Sequence, residues 1–143
     1  MNNRCLIAIF VLLVLITVFI WGNSVLPTEK SGKLSAGFEE WLAGLFGLEE
    51  LPFDVRKAAH FCEYAAFGFL ISVFAVLRKR LTPVYLFCYI STGLFVSVVD
   101  ESIQILSLRG PMVADVLLDF AGFLLGFGIF FLLHRIFRPK RAQ

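Results

Sequence analysis

The segment Arg56-Lys57-Ala58-Ala59-His60-Phe61-Cys62-Glu63-Tyr64 concentrates groups that can hold charge or move a proton. On a helix, Arg56, His60 and Glu63 fall on one stripe, with Lys57 and Tyr64 beside it. A second set, Asp100-Glu101-Ser102-Ile103-Gln104, puts Asp100 and Gln104 one turn apart, and a third puts Asp119 one turn after Asp115. Arg109 stands between these two sets. His60 beside Glu63, with Asp100 and Asp119 opposite, supplies a base and orienting carboxylates, so these four residues are the catalytic candidates. The same imidazole and carboxylates could ligate a divalent cation, which would let carboxylates meet a phosphate without repulsion; whether any metal binds stays open at this level. Arg56, Lys57 and Arg109 suit a phosphate or carboxylate group, Arg109 through a bidentate contact. Tyr64, Glu101, Gln104 and Asp115 complete the candidate ligand-binding set. Serine-based acyl transfer is weakly supported, since Ser102 stands in no nucleophile motif.

The elements that carry these residues are apolar almost throughout. Of 143 residues, 59% are hydrophobic and 17% are charged, where a soluble domain usually has about a quarter charged. Most of the surface must therefore face lipid. Four runs, over about 5–21, 58–77, 83–99 and 116–134, are long enough to span a hydrocarbon core of roughly 30 Å. The expected fold class is all-α: an integral membrane four-helix bundle forming a single domain over 1–143. The first run also suits a signal peptide, with Gly22-Asn23-Ser24 as a small-x-small cleavage site. Its apolar stretch exceeds the usual signal h-region, and it is read as an uncleaved helix.

Basic residues set the orientation. With four spans both termini share a side, which collects Arg4, Arg78, Lys79, Arg80, Arg135, Arg138, Lys140 and Arg141, against Lys30, Lys33, Arg56, Lys57 and Arg109 on the other. Eight against five predicts a multi-pass protein of the cell membrane with cytoplasmic N- and C-termini. In the first outer loop, Phe38, Trp41, Leu42 and Leu45 recur on one helical face, with Glu39 and Glu40 off it. This predicts a short amphipathic helix that either lies in the outer interface, anchored by Trp41, or packs over the bundle as a lid. Cys5, Cys62 and Cys88 sit inside apolar runs with neither metal-ligand nor disulfide spacing, and read as small buried hydrophobes. No basic face is interleaved with aromatics, which argues against a nucleic-acid partner.

Topology brings the three polar sets to one end of the bundle. Asp115, Asp119, Gly122 and Gly126 share a face, and the small-xxx-small pair lets a neighbouring backbone approach closely, so Asp119 should point into the bundle rather than into lipid. Ionisable groups within spans are costly and by default mark a functional site. The competing account is a network of buried ion pairs that holds four short helices in register, in which loss of one partner would cost about 3–5 kcal/mol.

The pattern Arg56-Lys57-x-x-His60-Phe61-x-Glu63-Tyr64, then Asp100-Glu101-x-x-Gln104, Arg109 and Asp115-x-x-x-Asp119-x-x-Gly122, resembles the VanZ-like membrane protein family over nearly the whole chain. In that family the arginine commonly follows a Pro-Gly pair, whereas here Leu108 precedes Arg109 and Gly110-Pro111 follow. The resemblance implies a fold, a topology and an association with low-level resistance to teicoplanin, an acylated glycopeptide, but it implies no reaction. Two expectations of function follow. One is an envelope protein whose outer-facing polar pocket takes an amphiphile with an anionic head group: a lipoglycopeptide, a lipid-linked cell-wall precursor or a membrane lipid. The other is a membrane-embedded metal-assisted or acid–base enzyme acting on such a head group. A transporter fits less well, because the inner halves of the spans carry no charge except at their ends, although an oligomer could supply a path.

Overall fold

The structure is a computed structural model that describes residues 3–25, 36–41, 43–45, 47, 49, 51–106 and 112–137. Arg109, the Gly110-Pro111 pair, Leu42 and the basic residues at 30, 33, 138, 140 and 141 lie outside the described residues. Four helices, α1 (Asn3–Val25), α2 (Val55–Leu77), α3 (Pro83–Leu106) and α4 (Val113–Phe137), are each long and apolar enough to cross a membrane. No strand occurs among the described residues. The helices outrun the apolar stretches, chiefly where the polar sets lie: Asp100, Glu101 and Gln104 are helical and buried, not part of a loop. Their side chains point inward, so the helix can continue past the last lipid-facing apolar residue.

Local chemistry fixes the ends of α2. The Asp54 carboxylate accepts from the Arg56 and Lys57 N–H groups (2.9 and 3.2 Å), satisfying donors that the first turn leaves without partners. At the other end Lys79 adopts a left-handed φ of 55°, the Arg80 N–H reaches the Ala75 carbonyl and the Lys79 N–H reaches the Val76 carbonyl. This closes the helix with the hydrogen bonds usual around a left-handed residue. Pro83, whose missing N–H costs nothing in a first turn, then opens α3.

Helices α2 and α4 pack backbone to backbone. A Cβ at Gly126 would overlap the Ala65 carbonyl, one at Gly122 the Phe61 carbonyl, and one at Gly68 the Phe123 carbonyl. The Ser72 hydroxyl donates across this seam to the Phe127 carbonyl at 3.0 Å. The expected inward face of α4 is therefore present, and α2 answers it with a glycine of its own. Tyr64, Phe67, Ile71, Val96, Phe123 and Phe127 form the apolar core, which Leu13 and Ile20 of α1 complete. The remaining faces of α1 stay exposed, as a lipid-facing helix requires.

The connection between α1 and α2 is helical over residues 36–41 and 43–45. Phe38, Trp41 and Leu45 are 52%, 61% and 65% exposed, and the Phe38 and Trp41 rings lie 5.6 Å apart. The apolar face thus points away from the bundle, the arrangement of a helix lying in an interface rather than a lid. The cysteines differ from expectation. Cys5, Cys62 and Cys88 are all exposed on the outer faces of their helices. Lipid makes the outside of a bundle as apolar as its inside, so hydrophobic neighbours did not imply burial.

Candidate functional site

The C-terminal ends of α1 and α3 meet the N-terminal ends of α2 and α4, and the polar sets converge there. The His60 Nδ1 lies 3.8 Å from Asp100 Oδ2 and 4.0 Å from Glu63 Oε2. Asp100, fully buried, also accepts from the Gln104 side-chain amide at 3.2 Å, and the Gln104 carbonyl oxygen accepts from Arg56 at 3.3 Å. Lys57 pairs with Asp115 at 2.7 Å, tying the first turn of α2 to the first turn of α4. Glu101 accepts from the Met112 N–H at 2.7 Å and so anchors the chain where it enters α4. These links make α2 the hub: its charged stripe reaches both α3 and α4.

A small cavity of about 20 Å³ opens between these helices, lined by Arg56, Lys57, His60, Gln104, Asp115, Leu118 and Asp119. That is room for a water or an ion, not for a whole head group. Asp119 is 3% exposed and makes no hydrogen bond or ion pair among the described residues. Arg56 and Lys57 line the same cavity without pairing with it, so its burial is not explained by pairing. His60, Asp100 and Asp119, drawn from three helices, bring ligand-type atoms within 4.8 Å of one another.

Some candidates lie away from this cavity. Glu63 follows His60 by three positions, about 60° short of a full turn, and therefore faces α1, where Asn23 donates to its Oε1 at 3.0 Å. Its Oε2 is buried without a hydrogen bond among the described residues. Tyr64 is fully buried in the apolar core beneath the cluster. Glu101 turns to the connection before α4. The role expected of Arg109 falls outside the described residues. Asn23 is the site residue that sequence reasoning passed over. In the sequence this lone amide stands only in the small-x-small triplet at the end of the most apolar run, and the approach of α2 is what gives it a partner.

Below the cluster an apolar groove of about 490 Å³ runs between α1, α2 and α3, bounded by Phe10, Leu13, Val14, Thr17, Val18, Trp21, Phe67, Ile71, Phe74, Tyr89, Thr92, Phe95 and Val96. Thr17 and Thr92 return their hydroxyls to the Leu13 and Cys88 carbonyls, 2.8 and 2.9 Å away, so neither offers a polar group free of its own helix. Phe67 follows Glu63 by one turn, and Val96 precedes Asp100 by one turn. The groove therefore begins directly beneath the carboxylates.

No curated protein and no solved structure matches the chain. The family model described as VanZ/LLP1 matches residues 6–134, a stretch that takes in the whole polar cluster, and the chain belongs to the VanZ-like membrane protein family.

Proposed function

We propose that this chain is a cell-envelope protein that takes an amphiphile with a phosphate or carboxylate head group, presenting it to the polar cluster at the outer face of the membrane. One observation carries this reading: a single stripe of α2 runs from Arg56 and His60 through Glu63 to Phe67, Ile71 and Phe74, joining the charged cluster to the apolar groove. The head group binds at the mouth of the cavity, where Lys57 is 40% exposed and can exchange Asp115 for a ligand oxygen. An acyl chain lies in the groove. Lipoglycopeptides such as teicoplanin, lipid-linked cell-wall precursors and anionic phospholipids share this chemistry. A specific observation also favours the catalytic reading: His60 Nδ1 stands 3.8 and 4.0 Å from two carboxylates, near enough to stabilise an imidazolium that has taken up a proton.

Native mass spectrometry of the detergent-purified chain with equal amounts of phosphatidylglycerol and phosphatidylcholine tests the binding reading. Each basic residue at a membrane surface contributes about 1 kcal/mol toward an anionic lipid, or roughly fivefold in retention. Phosphatidylglycerol should be retained preferentially, and Arg56→Gln or Lys57→Gln should each erode the preference about fivefold. Equal retention of the two lipids by the wild type would remove the basis for an anionic ligand.

The orientation is part of the same proposal, since it puts the cluster on the outer side. In intact cells a cysteine at position 39, on a background without the native cysteines, should react with a membrane-impermeant maleimide before permeabilisation. A cysteine at position 135 should react only afterwards. The reverse order would place the cluster on the cytoplasmic side.

A further inference from the structure

We infer that His60, Asp100 and Asp119 form a binding site for a divalent metal cation, with zinc as the ion the donor set suits best. Imidazole with two carboxylates is a mixed nitrogen and oxygen set: nitrogen selects zinc over magnesium or calcium, and three protein ligands leave a fourth position open. Two ligands at about 2.0–2.2 Å from one ion are at most roughly 4.4 Å apart. The His60 Nδ1 and Asp100 Oδ2 are 3.8 Å apart, and all three residues offer atoms within 4.8 Å of one another, so small rotations close the set.

Two further observations point to a cation. Asp119 is 3% exposed, lines the cavity, and has no hydrogen-bond or ion-pair partner among the described residues. A buried carboxylate normally has a partner, and a bound ion would supply it. Acidic side chains also outnumber basic ones among the described residues of the cluster: Glu63, Asp100, Glu101, Asp115 and Asp119 stand against Arg56 and Lys57, and Lys57 already pairs with Asp115. A divalent cation would draw its ligands from that surplus. The cavity of about 20 Å³ beside the three residues is large enough to hold the ion's open position and one water.

The site does not depend on which amphiphile is bound, and its test is made without added lipid, so either proposal can fail alone. The full chain is purified in detergent, stripped with a chelator and titrated with zinc, with bound metal measured by elemental analysis. One equivalent per monodisperse chain is expected, and it should persist when Cys5, Cys62 and Cys88 are all serine. Asp119→Asn and His60→Gln should each weaken binding about 100-fold or more, since even outer-shell changes cost 10- to 100-fold. Should either variant fail to fold, cobalt substitution in the wild type decides the matter. Visible ligand-field bands without a thiolate charge-transfer band support the His-Asp-Asp set. No saturable binding by folded wild type, or unchanged binding in folded Asp119→Asn, overturns the proposal.

Discussion

Gly126→Leu is expected to leave almost no folded protein, while Gly128→Leu, two residues away on the same helix, leaves yield and melting temperature unchanged. A Cβ at Gly126 meets the Ala65 carbonyl, which is backbone within α2 and cannot swing aside as a side chain would. The two helices would have to part, and Gly122 against Phe61 and Gly68 against Phe123 would lose their contacts along the same seam. The 3.0 Å bond from Ser72 to the Phe127 carbonyl would go with them, leaving that hydroxyl only the Gly68 carbonyl of its own helix at 3.1 Å. Overpacking within a core costs about 1–3 kcal/mol when side chains can adjust; backbone against backbone puts this change at about 3 kcal/mol or more. Gly128 has nothing within 4 Å of its added Cβ, so a leucine there only meets lipid. Size-exclusion profiles and melting temperatures in detergent give the comparison. Equal yields for the two variants would mean that the close α2–α4 approach is not what holds the bundle.

The second large effect separates a site from a scaffold. Asp119→Asn keeps the volume and removes a buried charge that has no ion-pair partner among the described residues. Folding should therefore be unharmed or improved, because a neutral amide is easier to bury than an uncompensated carboxylate. Metal retention should fall nonetheless. An outer-shell change already costs a metal site 10- to 100-fold, so losing the Asp119 ligand should weaken retention of the proposed metal ion about 100-fold or more. Asp100→Asn behaves differently, since Asp100 is fully buried between His60 and Gln104, and its loss should lower the melting temperature as well as metal retention. The measurements are membrane abundance, melting temperature and metal retention on the same variants. Metal retention that merely follows abundance across Asp119→Asn and Asp100→Asn would favour a network of ion pairs holding the helices in register.

The fold was readable because lipid imposes it: backbone groups must be satisfied within each span, so long apolar runs can only be helices. Much of the site was readable for the complementary reason. Charges at His60, Glu63, Asp100 and Asp119 are too costly to sit in spans unless they face one another, and the phase of Gly122 and Gly126 showed which way Asp119 points. What escaped the sequence depends on pairing between helices. Gly68 acquires meaning only when Phe123 lies against it, and Asn23 only when Glu63 does. Glu63 shares the stripe of His60, yet the residual rotation between them sends one to α1 and the other to the cavity. The placement of the cysteines on the outside was illegible for the simplest reason: in a bilayer, apolarity does not separate inside from out.

The seam between α2 and α4 also bears on how the chain is made. The first and last spans are the most apolar and can enter a bilayer unaided, whereas α2 carries Arg56, Lys57, His60 and Glu63 into it. Synthesis runs from the N-terminus, so Lys57 emerges well before Asp115, and Ala65 well before the glycine it will lie against. Until the final helix is made, α2 has neither the aspartate that pairs with Lys57 nor the glycines it packs against, so this side of the bundle is completed only when α4 arrives.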